Sequence, residues 1–148
     1  MISDHVQTNT GVAVQSNHLI KGLLKTSKYE VVQLGAAVYH DDYSTVKVEE
    51  NFTIIPINGF GDKDTIRSML VSYKPNVMII FSDARFFSHV FEMEDEIHQV
   101  CPIIWWHVWD NRPTPEFNKI YYDSVDTINC ISELTFNLCS EIIDNNKI

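Results

Sequence analysis

The stretch "HVWDN", from His107 to Asn111, places several residue types with useful chemistry within five positions. The imidazole of His107 can take up or give a proton near neutral pH. Asp110 and Asn111 supply polar groups, and Trp109 offers a flat ring face that stacks on a sugar or a base. This pattern predicts a site in which His107 exchanges a proton with a bound hydroxyl group or donates a hydrogen bond to it. The alternative is that His107 is an ordinary buried histidine.

Four further candidates stand where an apolar run ends or a helix begins: Gly11, Asp83, Arg85 and Ser132. Asp83 and Arg85 can either line a site or simply pair with each other near the surface. Gly11 precedes a helix whose free N–H groups can hold a phosphate, but a plain turn glycine is an equal explanation, since GxGxxG and the Walker pattern are absent. Ser132 follows a strand and can cap the last helix.

One group of residues has types that can bind a metal ion, but its spacing is not that of a known metal-binding motif. His89, Glu92 and Glu96 fall along one side of a predicted helix, but the HExxH spacing is absent. We therefore predict a solvated helix face and no metal site.

The elements that must position these residues alternate between short apolar runs and amphipathic helices. Strands are predicted at residues 2–4, 29–35, 77–81, 103–106 and 126–131, with a hairpin between the second and third of these that turns at residues 49–51. Helices are predicted at residues 11–25, from 62 or 64 to 73, at 87–100, at 116–122 and onward from 132.

This alternation predicts an α/β fold, with a Rossmann-like, doubly wound and mostly parallel sheet flanked by helices and interrupted by the β-hairpin. Ligands of such sheets bind outside the carboxyl ends of the strands. We therefore expect the candidate residues to meet at that edge. The strand before His107 is expected to end at Trp106, so that His107 and the residues after it leave the sheet and form the wall of a cleft.

Composition narrows the classes of protein. The 148 residues carry a formal charge of −9, and the eleven Lys and Arg form no basic stripe, which argues against general nucleic-acid binding. No apolar run could cross a bilayer and no leader precedes the first strand, so we expect one cytoplasmic domain over residues 1–148 without a transmembrane segment. The three cysteines form no CxxC pair and are expected to be reduced core residues.

Several stretches together resemble a known family. In order along the chain they are "TGVAVQSNHLIKGLL", "YEVVQLG", "GFGDKDTIRSMLVSYKPNVMIIFSDARFF", "PIIWWHVWDNRPTPEFN" and "DTINCIS". Their order and spacing are similar to the amino-terminal domain of retaining group 1 glycosyltransferases of the GT-B type. The resemblance covers residues 3–132 and implies an enzyme that moves a sugar from a nucleotide-sugar donor to an acceptor hydroxyl group.

The resemblance also implies roles for individual residues. Gly11 matches the loop that approaches the donor diphosphate, and His107 matches the active-site histidine near the transferred sugar. Asp83 and Arg85 match a turn that faces the cleft, and Asp110 with Asn111 match the segment after the histidine. The implied transition state has oxocarbenium character, and neither a cofactor nor an obligatory metal is expected beside the nucleotide-sugar.

The chain departs from the family in one major respect. The carboxy-terminal domain, which carries most nucleotide-sugar contacts and an E-x7-E pair, is absent. Glu133 and Glu141 have that spacing but stand in the wrong domain, so we interpret it as coincidence. We expect a half-enzyme, inactive alone, that needs a carboxy-terminal domain in cis or in trans. The alternative is a non-catalytic Rossmann-like binding or interaction module; a nicotinamide-dependent oxidoreductase is disfavoured by the single glycine of the first turn.

Overall fold

The alternating apolar and amphipathic segments fold into strands and helices in both halves of the chain. The structure, a computed structural model, describes residues 1–148 apart from the side chain of Asn145. Two units can be distinguished, Met1–Gly61 and Asp62–Ile148. Both are α/β, as the sequence predicts.

The first unit has one long helix and four strands: β1 (Ile2–Asp4), α1 (Gly11–Lys25), β2 (Val31–Ala36), β3 (Val46–Glu49) and β4 (Phe52–Pro56). β2 pairs in parallel with β1 and with β4, whereas β3 and β4 pair antiparallel and confirm the predicted hairpin. Ile20 of α1 packs with Val31, Phe52 and Ile54. Apolar residues of α1 thus cover one face of the parallel strands, as such sheets require.

The second unit has three strands and five α-helices: α2 (Lys63–Tyr73), β5 (Met78–Phe81), α3 (Ser88–Phe91), α4 (Glu94–His98), β6 (Ile103–His107), α5 (Lys119–Asp123), β7 (Thr127–Cys130) and α6 (Glu133–Ser140). Short 3-10 turns lie at Ala84–Phe86, Glu116–Asn118 and Asn145–Lys147. β6 pairs in parallel with β5 on one side and with β7 on the other. Their carboxyl ends therefore meet at one edge of this ladder.

The prediction of one continuous helix over residues 87–100 is wrong, because the segment forms the two short helices α3 and α4. Val90, Met93 and Ile97 are buried as the spacing predicted. The Met93 N–H, however, bonds to the carbonyl oxygen of Val90, three residues earlier, instead of four. This tighter bond ends the first helix while the apolar face is kept.

The sequence predicts that the chain has no transmembrane segment, and the lengths and polarity of the helices can be compared with that prediction. None of the helices in the described part of the chain is long and apolar enough to cross a bilayer.

Candidate functional site

One pocket forms where β5 and β6 end. Phe81 and Trp106 are partners in the parallel register, so the residues that follow them lie side by side at this end of the two strands. The pocket has a volume of about 270 Å³, and seven residues line it: Asp83, Arg85, His107, Val108, Trp109, Asp110 and Asn111. Six of these seven are residues that the sequence singled out. The strand-end rule therefore brings them together as expected.

Asp83 and Arg85 form a tight ion pair in this pocket. The Asp83 carboxylate accepts the Arg85 backbone N–H at 2.9 Å, and the guanidinium donates to the same carboxylate from Nε at 3.0 Å and from Nη2 at 2.6 Å. Burial favours the neutral form of Asp83, but the bonds from Arg85 and the nearby His107 outweigh it and hold the pKa below its usual range. Asp83 is therefore an anion at neutral pH.

The Trp109 ring lies against the Arg85 member of this ion pair. The Arg85 guanidinium carbon lies 5.3 Å from the centre of the Trp109 ring, within the range of a cation–π contact. The indole N–H donates to the backbone oxygen of Asn111, and Phe117 contacts the ring edge on with centres 5.4 Å apart. These contacts fix the direction in which the indole face points. Asp110 and Asn111 themselves are exposed at the rim.

His107 lies deeper than the sequence predicted. The expectation that the chain leaves the sheet at His107 is wrong, because His107 is the last residue of β6 and pairs with Cys130 of β7. It continues the inward alternation of Ile103 and Trp105, and only 1% of it is exposed. Its ring packs 4.1 Å from that of Trp105, centre to centre.

The two nitrogens of His107 have different surroundings. Nε2 lies 2.9 Å from the Tyr122 hydroxyl group, at hydrogen-bonding distance. Nδ1 is buried and has no hydrogen-bond partner among the described residues. A buried polar atom without a partner is costly, so this nitrogen is the one with unused hydrogen-bonding capacity at the site.

Sequence reasoning missed Tyr122 and the two cysteines near it. Tyr122 lies on α5, fully buried, and its hydroxyl group also contacts the Cys139 sulfur at 3.9 Å. Tyr122 lies fifteen positions after His107 in the sequence, so no local spacing connects them. Cys130, by contrast, could have been placed beside His107 by aligning the two predicted strands.

Gly11 and Ser132 are not among the residues that line the pocket. Gly11 begins α1 in the first unit, and a Cβ atom built there would meet nothing within 4 Å. The Thr10 side chain caps the Ala13 N–H and donates to the Asp4 carboxylate at 2.6 Å, which places a negative group near the start of this helix. Ser132 caps α6 by accepting the Thr135 N–H at 3.2 Å, as predicted for a capping residue. Their ligand-binding roles stay predictions.

The acidic residues of the metal-like pattern have cationic partners. Glu92 pairs with Lys63 at 2.8 Å, and Glu96 pairs with Arg67 at 2.8 Å. Glu141, one member of the E-x7-E spacing, pairs with Arg112 at 2.9 Å. Within the described residues, no three His, Cys, Asp or Glu side chains converge as metal ligands would.

Comparisons with family models, with curated proteins and with solved structures find no match to this chain. The class of protein therefore rests on fold and site: an α/β protein with an ion pair, an indole face and a buried histidine at the carboxyl ends of two parallel strands.

Proposed function

We propose that this chain is the acceptor-side half of a nucleotide-sugar-dependent glycosyltransferase with a Rossmann-like fold, and that its strand-end pocket holds a sugar or polyol acceptor. The observation that carries the proposal is the convergence of Asp83, Arg85, His107 and Trp109 on one pocket. Asp83, Arg85 and His107 are also residues that match the cleft of the family that the sequence resembles.

The chemistry of the lining suits hydroxyl groups. A carboxylate accepts hydrogen bonds from hydroxyl groups, a guanidinium donates to them, and an indole ring packs against the apolar face of a sugar. The pocket volume of about 270 Å³ lies just below the range of about 300–1,000 Å³ that is usual for drug-sized ligands. It therefore suits a single sugar ring.

The net charge of the pocket residues indicates that the donor diphosphate binds outside this pocket. Asp83 and Asp110 carry two formal negative charges against the one positive charge of Arg85. A diphosphate would meet net repulsion here, whereas a neutral acceptor would not. The donor thus belongs to a second domain and to the loop at Gly11, as the family resemblance implies.

His107 acts in this proposal through Nδ1, since Nε2 faces the Tyr122 hydroxyl group. Nδ1 orients an acceptor hydroxyl group toward the donor carbon. General acid–base groups of this kind contribute roughly 100-fold to 10,000-fold to a rate.

A second candidate is a non-catalytic module that binds a saccharide. The burial of His107, with 1% of the residue exposed, favours it, because a proton-exchanging group must reach its substrate. The two candidates share the pocket and differ in whether His107 affects turnover.

Saccharide binding tests what the two candidates share. Intrinsic tryptophan fluorescence is followed while monosaccharides and disaccharides are added, and a saturable change is expected from Trp109 at the pocket wall. Trp109→Ala should abolish the change, whereas Tyr39→Ala, an aromatic residue that is 91% exposed in the first unit, should keep it. The shared pocket is rejected if no saccharide changes the fluorescence.

Turnover separates the two candidates. Nucleotide-sugars are screened for hydrolysis and transfer by the longest natural form of the protein, with this chain alone as the inactive control. His107→Gln should lower transfer at least about 100-fold while saccharide binding stays, because glutamine can still bond to Tyr122. Unchanged transfer would reject the role of His107, and saccharide binding without any transfer would favour the module.

A further inference from the structure

The hydroxyl group of Tyr122 is a buried hydrogen-bond partner of His107. It lies 2.9 Å from His107 Nε2, and the two rings meet edge on with their centres 5.3 Å apart. Tyr122 is fully buried, and only 1% of His107 is exposed. Bulk water is therefore excluded from this contact, and the protein groups around it decide which atom carries each hydrogen.

The Tyr122 hydroxyl group has one proton to donate, and burial keeps that proton in place by raising the pKa of the phenol. The Cys139 thiol lies 3.9 Å from the phenol oxygen, in a geometry in which the sulfur donates and the oxygen accepts. A thiol sulfur is a weak acceptor, whereas the unprotonated nitrogen of a neutral imidazole is a good one. The phenol proton is therefore expected to point at His107 Nε2.

A neutral imidazole carries one proton on its two nitrogens, and the bond made at one nitrogen decides where that proton lies. We propose that Tyr122 is a positioning residue that donates to Nε2 and thereby holds the proton of neutral His107 on Nδ1. Nδ1 is buried and has no hydrogen-bond partner among the described residues. It is then an unpaired donor, which an oxygen atom of a ligand can satisfy.

The position of this proton specifies how His107 meets a ligand of the pocket, and that consequence rests on the proposed function. Nδ1 donates to the oxygen of the acceptor hydroxyl group, whose second lone pair stays available to the donor carbon. His107 in this form positions the hydroxyl group and does not remove its proton. Saccharide oxygens that only accept, such as an ether oxygen or the carbonyl oxygen of an N-acetyl group, suit the same nitrogen.

Heteronuclear NMR of the isotope-labelled whole chain, without any ligand, tests where the proton lies. Spectra are recorded at a pH about two units above the ordinary imidazole pKa of about 6.5, so that the neutral form dominates. Couplings from the carbon-bound ring hydrogens distinguish a protonated from an unprotonated nitrogen, and His107→Gln identifies the signals of His107 among the six histidines. We expect Nδ1 to be protonated and Nε2 to be unprotonated. The opposite assignment overturns the proposal.

Variants show which neighbour holds the proton on Nδ1. Tyr122→Phe should release it, so that the Nε2-protonated form of His107 appears, whereas Tyr121→Phe, on the same helix, should leave the Nδ1 form unchanged. Cys139→Ala should also leave it unchanged, because the thiol donates to the phenol and does not take its proton. The role of Tyr122 is overturned if folded Tyr122→Phe keeps the Nδ1 form, or if Cys139→Ala loses it. The spectrum of the unaltered chain still decides the position of the proton if a variant fails to fold.

A separate titration keeps this proposal distinct from the proposed function. Because the first spectra contain no ligand, a chain that binds no saccharide would reject the pocket and leave the position of the proton as measured. A saccharide that changes the Trp109 fluorescence should also shift the Nδ1 signal of His107, with the proton still on that nitrogen. Binding that leaves the Nδ1 signal in place would overturn the donor role of His107 toward the ligand.

Discussion

At the scale of single residues, Tyr122 contacts the buried histidine of the candidate site. Its hydroxyl group lies between His107 Nε2, at 2.9 Å, and the Cys139 sulfur, at 3.9 Å. Burial is the main reason that its pKa is raised, so the hydroxyl group stays protonated and keeps its hydrogen-bonding capacity. Tyr122 therefore fixes the orientation of the His107 imidazole through its contact with Nε2.

Tyr122→Phe should lower the free energy of unfolding by about 1–3 kcal/mol, because it leaves buried His107 Nε2 without a partner at nearly constant volume. Urea unfolding at pH 7 measures this. Tyr39→Phe is the matched control, since that tyrosine is 91% exposed and its loss should cost less than about 0.5 kcal/mol. Equal costs for the two changes would mean that the Tyr122 hydroxyl group contributes nothing.

Gly35 has no side chain, and the His5 ring packs directly against its backbone. A Cβ atom at Gly35 would lie 2.5 Å from Cδ2 of His5, closer than any normal contact. Gly35 pairs with Ser3 on one side and Pro56 on the other, so the backbone cannot easily retreat. Gly35→Ala should therefore destabilise the protein by about 1–3 kcal/mol in thermal or chemical unfolding.

Two controls accompany this change. Gly22→Ala, in the middle of α1 with nothing within 4 Å of its built Cβ, should stabilise by up to about 1 kcal/mol. In a His5→Ala background the cost of Gly35→Ala should largely disappear, because the clash is gone. If the cost stayed the same in that background, strain at the backbone and not the imidazole would be the cause.

At the scale of elements, Asp126 connects three segments that meet at the start of β6. Its carboxylate accepts the Ile103 N–H at 2.7 Å and lies 2.9 Å from His98 Nε2 at the end of α4. The bond from Ile103 is the main reason that the pKa of Asp126 is lowered, burial opposes it, and His98 adds to it. The folded state therefore holds the Asp126 proton less tightly than the unfolded state does.

The sign of the pH dependence follows from this lowered pKa. The contribution of Asp126 is fully present above the unfolded carboxyl pKa of about 3.9 and is lost as the pH falls through the lower folded value. Because the side chain is about half exposed, 48%, solvent keeps this contribution at or below about 1 kcal/mol.

Asp126→Asn should thus lower stability at pH 7 and reduce the loss of stability between pH 5 and acid, measured by urea unfolding across that range. Asp41→Asn, at an exposed carboxylate in the first unit, is the control and should change the stability at pH 7 by less than about 0.5 kcal/mol. A profile for Asp126→Asn that runs parallel to the original would show that Asp126 does not titrate with folding.

The positions and types of the elements could be predicted from sequence because they depend on local patterns. The run before Asp83 and the run before His107 each predict a buried strand, and parallel strands place their ends together. The break at Met93 could not be predicted, since continuous and broken helices bury the same apolar residues. The bond between His107 and Tyr122 could not be predicted either, because it depends on how α5 packs.

At the scale of the whole molecule, the formal net charge follows directly from the sequence. Twenty acidic residues against eleven basic ones give a formal charge of −9. The ion pairs are largely exposed, as with Lys119 and Asp123, whose side chains are 56% and 58% exposed. Such pairs contribute little, so the repulsion among the remaining carboxylates is expected to dominate the electrostatic part of stability.

Added sodium chloride should therefore raise the melting temperature at pH 7, because the screening length shortens from about 30 Å at 0.01 M to about 10 Å at 0.1 M. Calorimetry between these concentrations measures the change. Chloride is the proper salt, since sulfate also strengthens apolar burial by exclusion from the surface.

A less acidic variant tests the cause of that rise. Glu49 and Glu50 are adjacent and exposed in the β3–β4 hairpin, and changing both to glutamine removes two negative charges from the surface. This variant should melt higher than the original at low salt and gain less from added chloride, because less repulsion remains to be screened. A melting temperature that falls as chloride is added would mean instead that the exposed ion pairs, which salt weakens, outweigh the net negative charge.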